Sequence, residues 1–288
     1  TGKTVVALHR AVYLAKKHMD ARVLLTTFSD ILANTLQSKL RRLISNEPRI
    51  AERLEVQSID AIGVRLYEAV IGEANIAYKE DIDQLFVKVL EEDTDLKFST
   101  KFLVSEWGDV ADAWQLQTWE EYRDIKRLGR KTRLPERQRE KLWSVFEKIK
   151  QRLKQQNKIT MPELFSQLAS EIQKRKSPPF DFLIVDESQD INVSQLKFVA
   201  ALSKDKPNSL FFAGDLGQRI FQTPFSWLSL GVDIRGRSKT LHINYRTSHQ
   251  IRMQADRLLG PEVRDVDGNI DDRRGTVSVF NGPKPDIR

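Results

Sequence analysis

The stretch FDFLIVDESQD, residues 180–190, runs from an apolar segment into a cluster of acidic and amide side chains. Phe180, Phe182, Leu183, Ile184 and Val185 show no alternation, the pattern of a strand covered on both faces, as in a parallel sheet. Asp186 and Glu187 then stand at the carboxyl end of that strand, where open α/β sheets bind ligands. The same residues also fit a strand that ends in a solvated acidic turn. The rest of the chain has to choose between the two.

Outward from this strand, DINVSQLKFVAALS (190–203) carries a helical pattern, and SLFFAGD (209–215) and TLHINY (240–245) read as further strands. Upstream, a helical pattern begins at once after Gly2, followed by strand candidates ARVLLTTF (21–28) and RLEVQSI (53–59) with a helix between them. Strands alternating with helices call for a parallel sheet in an α/β fold. Between about 60 and 176 the strand signals vanish and Trp107, Trp114, Trp119, Tyr122 and Trp143 accumulate in helix-compatible sequence, which Pro178-Pro179 closes. The expected layout is an α/β domain over 1–64 and 177–236, a helical insertion over 65–176, and the start of a second α/β domain over 237–288, with GTVSVF (275–280) a strand candidate there.

Length and composition bound the function. A chain of 288 residues can bury about two cores. A net charge of +7 favours an anionic partner, nucleic acid foremost. There are no cysteines, so disulfides, thiolate metal sites and thiol catalysis are excluded, and the four histidines have no zinc-ligand spacing. No apolar run reaches the roughly 18 residues of a membrane span, and the amino terminus has no signal-peptide pattern, so a cytoplasmic protein is the expectation.

The chain opens Thr1-Gly2-Lys3-Thr4 directly before a helix, the end of a phosphate-binding loop G-x-x-x-x-G-K-[ST]. In such a loop the backbone N–H groups and the helix N-terminus hold phosphates, Lys3 reaches the outer phosphates and Thr4 ligates Mg²⁺. Four residues on a surface turn can match by chance. Asp186 makes the match meaningful, because a nucleotidase of this kind needs a carboxylate at a strand end for the metal, and Glu187 is placed to orient or deprotonate water. Since the loop starts before Thr1, the chain is expected to be part of a longer one and a poor ATPase by itself.

VDESQD (185–190), AGDLGQRIF (213–221) and LHINYRTSHQI (241–251), in this order behind a G-K-T helix, resemble the UvrD/Rep-type superfamily 1 DNA helicases. TTFSDILA (26–33) is similar to that family's motif Ia, and VQSIDA (56–61) more loosely to its motif Ic. The resemblance implies two RecA-like motor domains, the second incomplete here, with ATP and Mg²⁺ between them. It assigns Gly2, Lys3, Thr4 and Tyr245 to ATP, and Thr4 and Asp186 to the metal. Glu187, Gln218 and Arg246 would serve hydrolysis, and Gln189, Asp190 and Asp215 the coupling of the nucleotide site to its surroundings. It implies single-stranded DNA or a single-strand/duplex junction as partner, with Phe28, Ser29 and Phe221 in contact with it and a 3′-to-5′ direction of travel. Aromatic stacking suits such a motor because every base offers a ring face.

Some residues depart from the family pattern. After Phe221 the chain reads QTPFSWLSLGVDIRGRS where the family has a Trp and an R-G pair, so Trp227 is expected either to stack on bases from a shifted position or to be core. Ser58 and Asp60 stand where Thr and His are usual, and an Asp cannot attract a phosphate. Motifs V and VI are absent. Phe28 alone would also fit simple core packing.

From Arg123 to Lys176 there are 17 Lys/Arg against 6 Asp/Glu. That surplus fits a DNA-tracking surface, and equally a pair of solvated helices. The tryptophans nearby are expected to staple helices together. A rival functional reading keeps the same ATP residues but makes the protein an ATP-gated DNA-binding switch for a nuclease or other partner. A GTPase is excluded, since 157–160 reads NKIT and no N-K-x-D occurs.

Overall fold

The computed structural model describes residues 2–45, 47–92, 98–127, 133–202, 208–215, 224–259, 262–272 and 275–284. They divide into two compact units. Thr1–Ile59, Ser177–Ile191 and Leu202–Arg288 form the first, and Asp60–Lys176 with Asn192–Ala201 the second.

The first unit is built on a four-stranded sheet of β1 (Val23–Thr27), β2 (Leu54–Ser58), β3 (Phe182–Asp186) and β4 (Leu210–Ala213), in the order β2-β1-β3-β4. Every pair is parallel, with Val23 opposite both Leu54 and Phe182, and Asp186 opposite Ala213. All residues of β1 and β3 are buried, which is why neither shows polar alternation. Helix α1 (Lys3–Lys17) lies against this sheet. Its Ala7, Ala11 and Ala15 recur every fourth residue and are fully buried, so the small side chains bring the helix close to the strands. Helix α2 (Asp30–Ile44) and the short α3 (Pro48–Ala51) pack beside β2. Arg53 closes the far end of α1, its guanidinium donating to the carbonyls of Ala15, His18 and Ala21. The parallel register sets the carboxyl ends of all four strands on one edge.

The strand expected at 240–245 is only β5 (Ile243–Asn244). It pairs in parallel with β8 (Val277–Ser278), itself shorter than the expected 275–280. Asn244 causes the early stop, since its side-chain oxygen accepts from Arg246 N at 2.9 Å and Thr247 N at 3.2 Å and turns the chain. Helix α11 (His249–Leu259) follows, then an antiparallel hairpin of β6 (Glu262–Arg264) and β7 (Ile270–Asp272) that the sequence reading did not anticipate.

The second unit is helical. It holds α4 (Ile59–Val70), α5 (Lys79–Glu92), α6 (Thr100–Glu106), a π-helical turn over Trp107–Asp112, α7 (Trp119–Asp124), α8 (Glu136–Gln155), α9 (Met161–Gln173) and nearly all of α10 (Val193–Leu202). Tyr122 sits at its centre, fully buried, stacked on Trp143 and edge-on to Phe146, while Trp107 meets Phe146 edge-on. Trp107 and Trp143 are thus the staples expected of them; Trp114 and Trp119 are half-buried at the margin. No described helix is long and apolar enough to cross a membrane.

Candidate nucleotide site

At the carboxyl edge of the sheet the first turn of α1 meets the ends of β3 and β4. Gly2 is the N-cap residue of α1, and its carbonyl accepts from Val6 N at 3.0 Å. Lys3 follows, its ammonium 3.4 Å from Asp215 just past β4. Thr4 hydrogen-bonds the carboxylate of Asp186 at the end of β3. Asp186 is only 4% exposed. Burial raises its pKa above the ordinary carboxylate range and the charge of Glu187 adds to this, while the Thr4 hydroxyl works the other way. A buried carboxylate beside a hydroxyl is a hard-oxygen pair suited to Mg²⁺, which commonly takes one or two protein oxygens and completes its shell with water and phosphate. Among the described residues no group of three or more Asp, Glu, His or Cys side chains could hold a metal ion.

Glu187 takes the left-handed conformation, φ 54° and ψ 41°, uncommon for a residue with a side chain. This kink stops β3 and starts a 3₁₀ turn over Ser188–Asp190. Gln189 organises the turn. Its Nε2 donates to Glu187 Oε2 at 2.8 Å and Asp190 Oδ2 at 3.1 Å, and its Oε1 accepts from Asp215 N at 3.1 Å. Burial, then the charge of Glu187, raises the pKa of Asp190. Gly214 makes the junction possible: a Cβ there would lie 2.9 Å from Gln189 Oε1, 3.1 Å from Gln189 N and closer still to Ser188 Oγ. Gly2, Lys3, Thr4, Asp186, Glu187, Gln189, Asp190 and Asp215 are therefore one neighbourhood.

Tyr245 and Arg246 stand exposed on the Asn244 turn, with Tyr245 65% exposed. Leu241, on the same segment, lies 4.0 Å from where a Cβ on Gly2 would be, so this stretch passes beside the first turn of α1. Gln218, Phe221 and Thr1 lie outside the described residues.

The ring of Phe28, just past β1, is 50% exposed, with Ile31 and Leu32 also exposed. Ser29 caps α2, its hydroxyl accepting from Leu32 N at 3.4 Å. Ser58 donates to Asp30, and Asp60 accepts from Gln195 Nε2 at 2.9 Å, so both departures from the motif Ic pattern have internal partners. Trp227 is 4% exposed and packs edge-on against Phe212. Of its two expected roles, core packing fits this placement, because no ring face is open to a base.

The basic surplus of 123–176 is partly internal. Arg127 pairs with Glu106, Arg152 with Glu92 and Lys158 with Asp81, Arg139 donates to the Arg123 carbonyl, and Lys150 lies over Trp143. Arg133, Arg137, Lys141, Lys154, Lys174, Arg175 and Lys176 are exposed.

Sequence reasoning missed Gly214, which fixes the approach of β4, and Asn244, which presents Tyr245 and Arg246. Both stood in plain view, a Gly at the end of an apolar strand and an Asn inside one, each a residue that ends strands.

No curated protein matches the chain. The family model of the UvrD/REP helicase N-terminal domain matches residues 1–223, a span that holds the first turn of α1, the β3 end, the Gln189 turn and Asp215. By that match the chain belongs to the UvrD/REP helicase N-terminal domain family.

Proposed function

We propose that the protein is an ATP-driven motor that moves along single-stranded DNA in the 3′-to-5′ direction and opens duplex at a junction. The observation that carries this reading is the chain of hydrogen bonds from Thr4 and Asp186 through Glu187 and Gln189 to Asp215, closed by the Asp215–Lys3 ion pair. Such a chain joins phosphate-binding, water-activating and strand-end groups in one network.

In this reading Gly2 and Lys3 bind the phosphates, and Thr4 and Asp186 hold Mg²⁺, which would neutralise charge on the phosphoryl oxygens. Glu187 takes the proton from the attacking water. Tyr245 stacks on the adenine, and Arg246 with Gln218 stabilises the transferring phosphoryl group from the far side. Residues 1–64 and 177–236 are the first motor domain, 65–176 its helical insertion and 237–288 the beginning of the second. Phe28 and Phe221 engage bases, Ser29 sets the start of α2 beside Phe28, and the exposed basic residues of 133–176 follow the phosphate backbone.

The test is ATP turnover by the longest natural polypeptide carrying these residues, with and without single-stranded DNA, beside Glu187→Gln. Strong stimulation by DNA, abolished in the variant, supports the motor. Turnover indifferent to DNA overturns it and favours an ATP-gated switch acting on a partner.

A further inference from the structure

Lys3 is the residue that phosphates must reach, yet here its ammonium already faces a carboxylate. Asp215 Oδ2 lies 3.4 Å away, and the two side chains are only 24% and 19% exposed. A pair this sheltered is screened far less than a surface pair. Phosphate oxygens that reach Lys3 meet a carboxylate of like charge already beside it, so nucleotide binding works against the Asp215 contact.

The backbone of Asp215 is held in place. Its N–H is held by Gln189 Oε1, and the preceding Gly214 is pressed against Ser188 and Gln189 with no room for a side chain. The same Gln189 holds the Glu187 carboxylate at 2.8 Å. A shift of the Asp215 backbone would therefore pull on the amide that orients Glu187.

We propose that Asp215 is an internal counter-ion, occupying Lys3 while the site is empty and yielding it to the nucleotide phosphates, and that its release is passed through Gln189 to Glu187. The proposal rests on the nucleotide-binding reading of the site and adds to it a built-in competitor. The pair both taxes nucleotide affinity and reports occupancy to the water-activating residue.

The experiment measures the Kd of a fluorescent ADP and of a non-hydrolysable ATP analogue, with Mg²⁺ and without DNA, on the longest natural polypeptide carrying these residues. It compares wild type, Asp215→Asn and Asp215→Glu. If the pair is closed about nine-tenths of the time, its removal tightens binding about tenfold. The expected result is tighter binding by Asp215→Asn, by about three- to tenfold, with slower turnover per bound ATP, and near wild-type affinity in Asp215→Glu, which keeps the charge. Unchanged or weaker binding by Asp215→Asn in a protein that melts like wild type overturns the proposal. So does Asp215→Glu binding as tightly as Asp215→Asn, because the charge would then be irrelevant. A wild type that binds neither nucleotide defeats the underlying reading instead, so the two failures are distinct.

Discussion

Arg127 and Glu106 form an ion pair inside the helical unit, with Arg127 Nη2 2.6 Å from Glu106 Oε2 and Arg127 Nε 2.8 Å from Oε1. Tyr122 donates its hydroxyl to the same Oε1 at 3.0 Å. Glu106 is fully buried and Arg127 nearly so. Removing one charge strands the other away from water, so Arg127→Met is expected to lower stability by about 3–5 kcal/mol. The double variant Arg127→Met/Glu106→Gln should recover much of that loss. Urea denaturation of the four proteins of this cycle checks it; equal losses in the single and double variants would refute it.

Asp112 gives the helical unit a pH dependence. Its Oδ1 accepts from Thr160 Oγ1 and Gln115 Nε2, both at 2.7 Å, yet burial dominates and pushes its pKa up to about 7. A carboxyl with a raised folded pKa holds its proton more tightly folded than unfolded. Its contribution is fully present below about pH 4 and fades as pH rises to about 7, at up to about 1.4 kcal/mol per pH unit. Asp112→Asn removes this slope. The stability of the variant relative to wild type should rise from pH 4.5 to 7 and level off above; a constant difference across that range would contradict the assignment.

Two glycines separate packing from function. Gly214→Ala presses a methyl group onto the backbone N of Gln189, and Gly63→Ala presses one onto the Phe165 ring. Each is expected to cost about 1–3 kcal/mol, the usual penalty of overpacking. Only Gly214→Ala should also lower ATP turnover under conditions where both variants stay folded, because only it disturbs Gln189 and Asp215. Equal turnover in the two variants would remove the Gly214 junction from the site.

Arg53 ends α1 by donating to the carbonyls of Ala15 and His18. Arg53→Met should destabilise the first unit by about 1–3 kcal/mol, because the part-buried Ala15 carbonyl loses its guanidinium donor. Arg53→Lys should restore less than half, since an ammonium cannot span the carbonyls of Ala15 and His18 as the planar fork does. Denaturant midpoints at constant m-value are the measurement.

The sheet was legible in the sequence because burial on both faces leaves an unbroken apolar run, as in Phe182–Val185, and because Asp186 marks where that run must stop. The helical block was legible for the converse reason, the absence of strand patterning between 60 and 176. The β6–β7 hairpin escaped notice because each strand has three residues, too few to show alternation. The basic surplus around Arg127 misled in degree, since charge counting cannot separate a guanidinium facing water from one enclosed with Glu106. The Lys3–Asp215 pair lay beyond reach, because 212 positions separate its members and only folding brings them together.

The chain passes between its two compact units four times, after Ile59, Lys176, Ile191 and Ala201. No single cut can therefore excise either unit as one continuous peptide, and a nick at any one joint leaves both units covalently attached to each other. During synthesis β1 must also wait for β3, because Val23 finds Phe182 only after the whole of Asp60–Lys176 has emerged. Joining β1 to β3 is thus a late, non-local closure. The order of the segments sets the order of emergence: the edge that gathers Lys3, Asp186 and Asp215 lacks a member until β4 has been made.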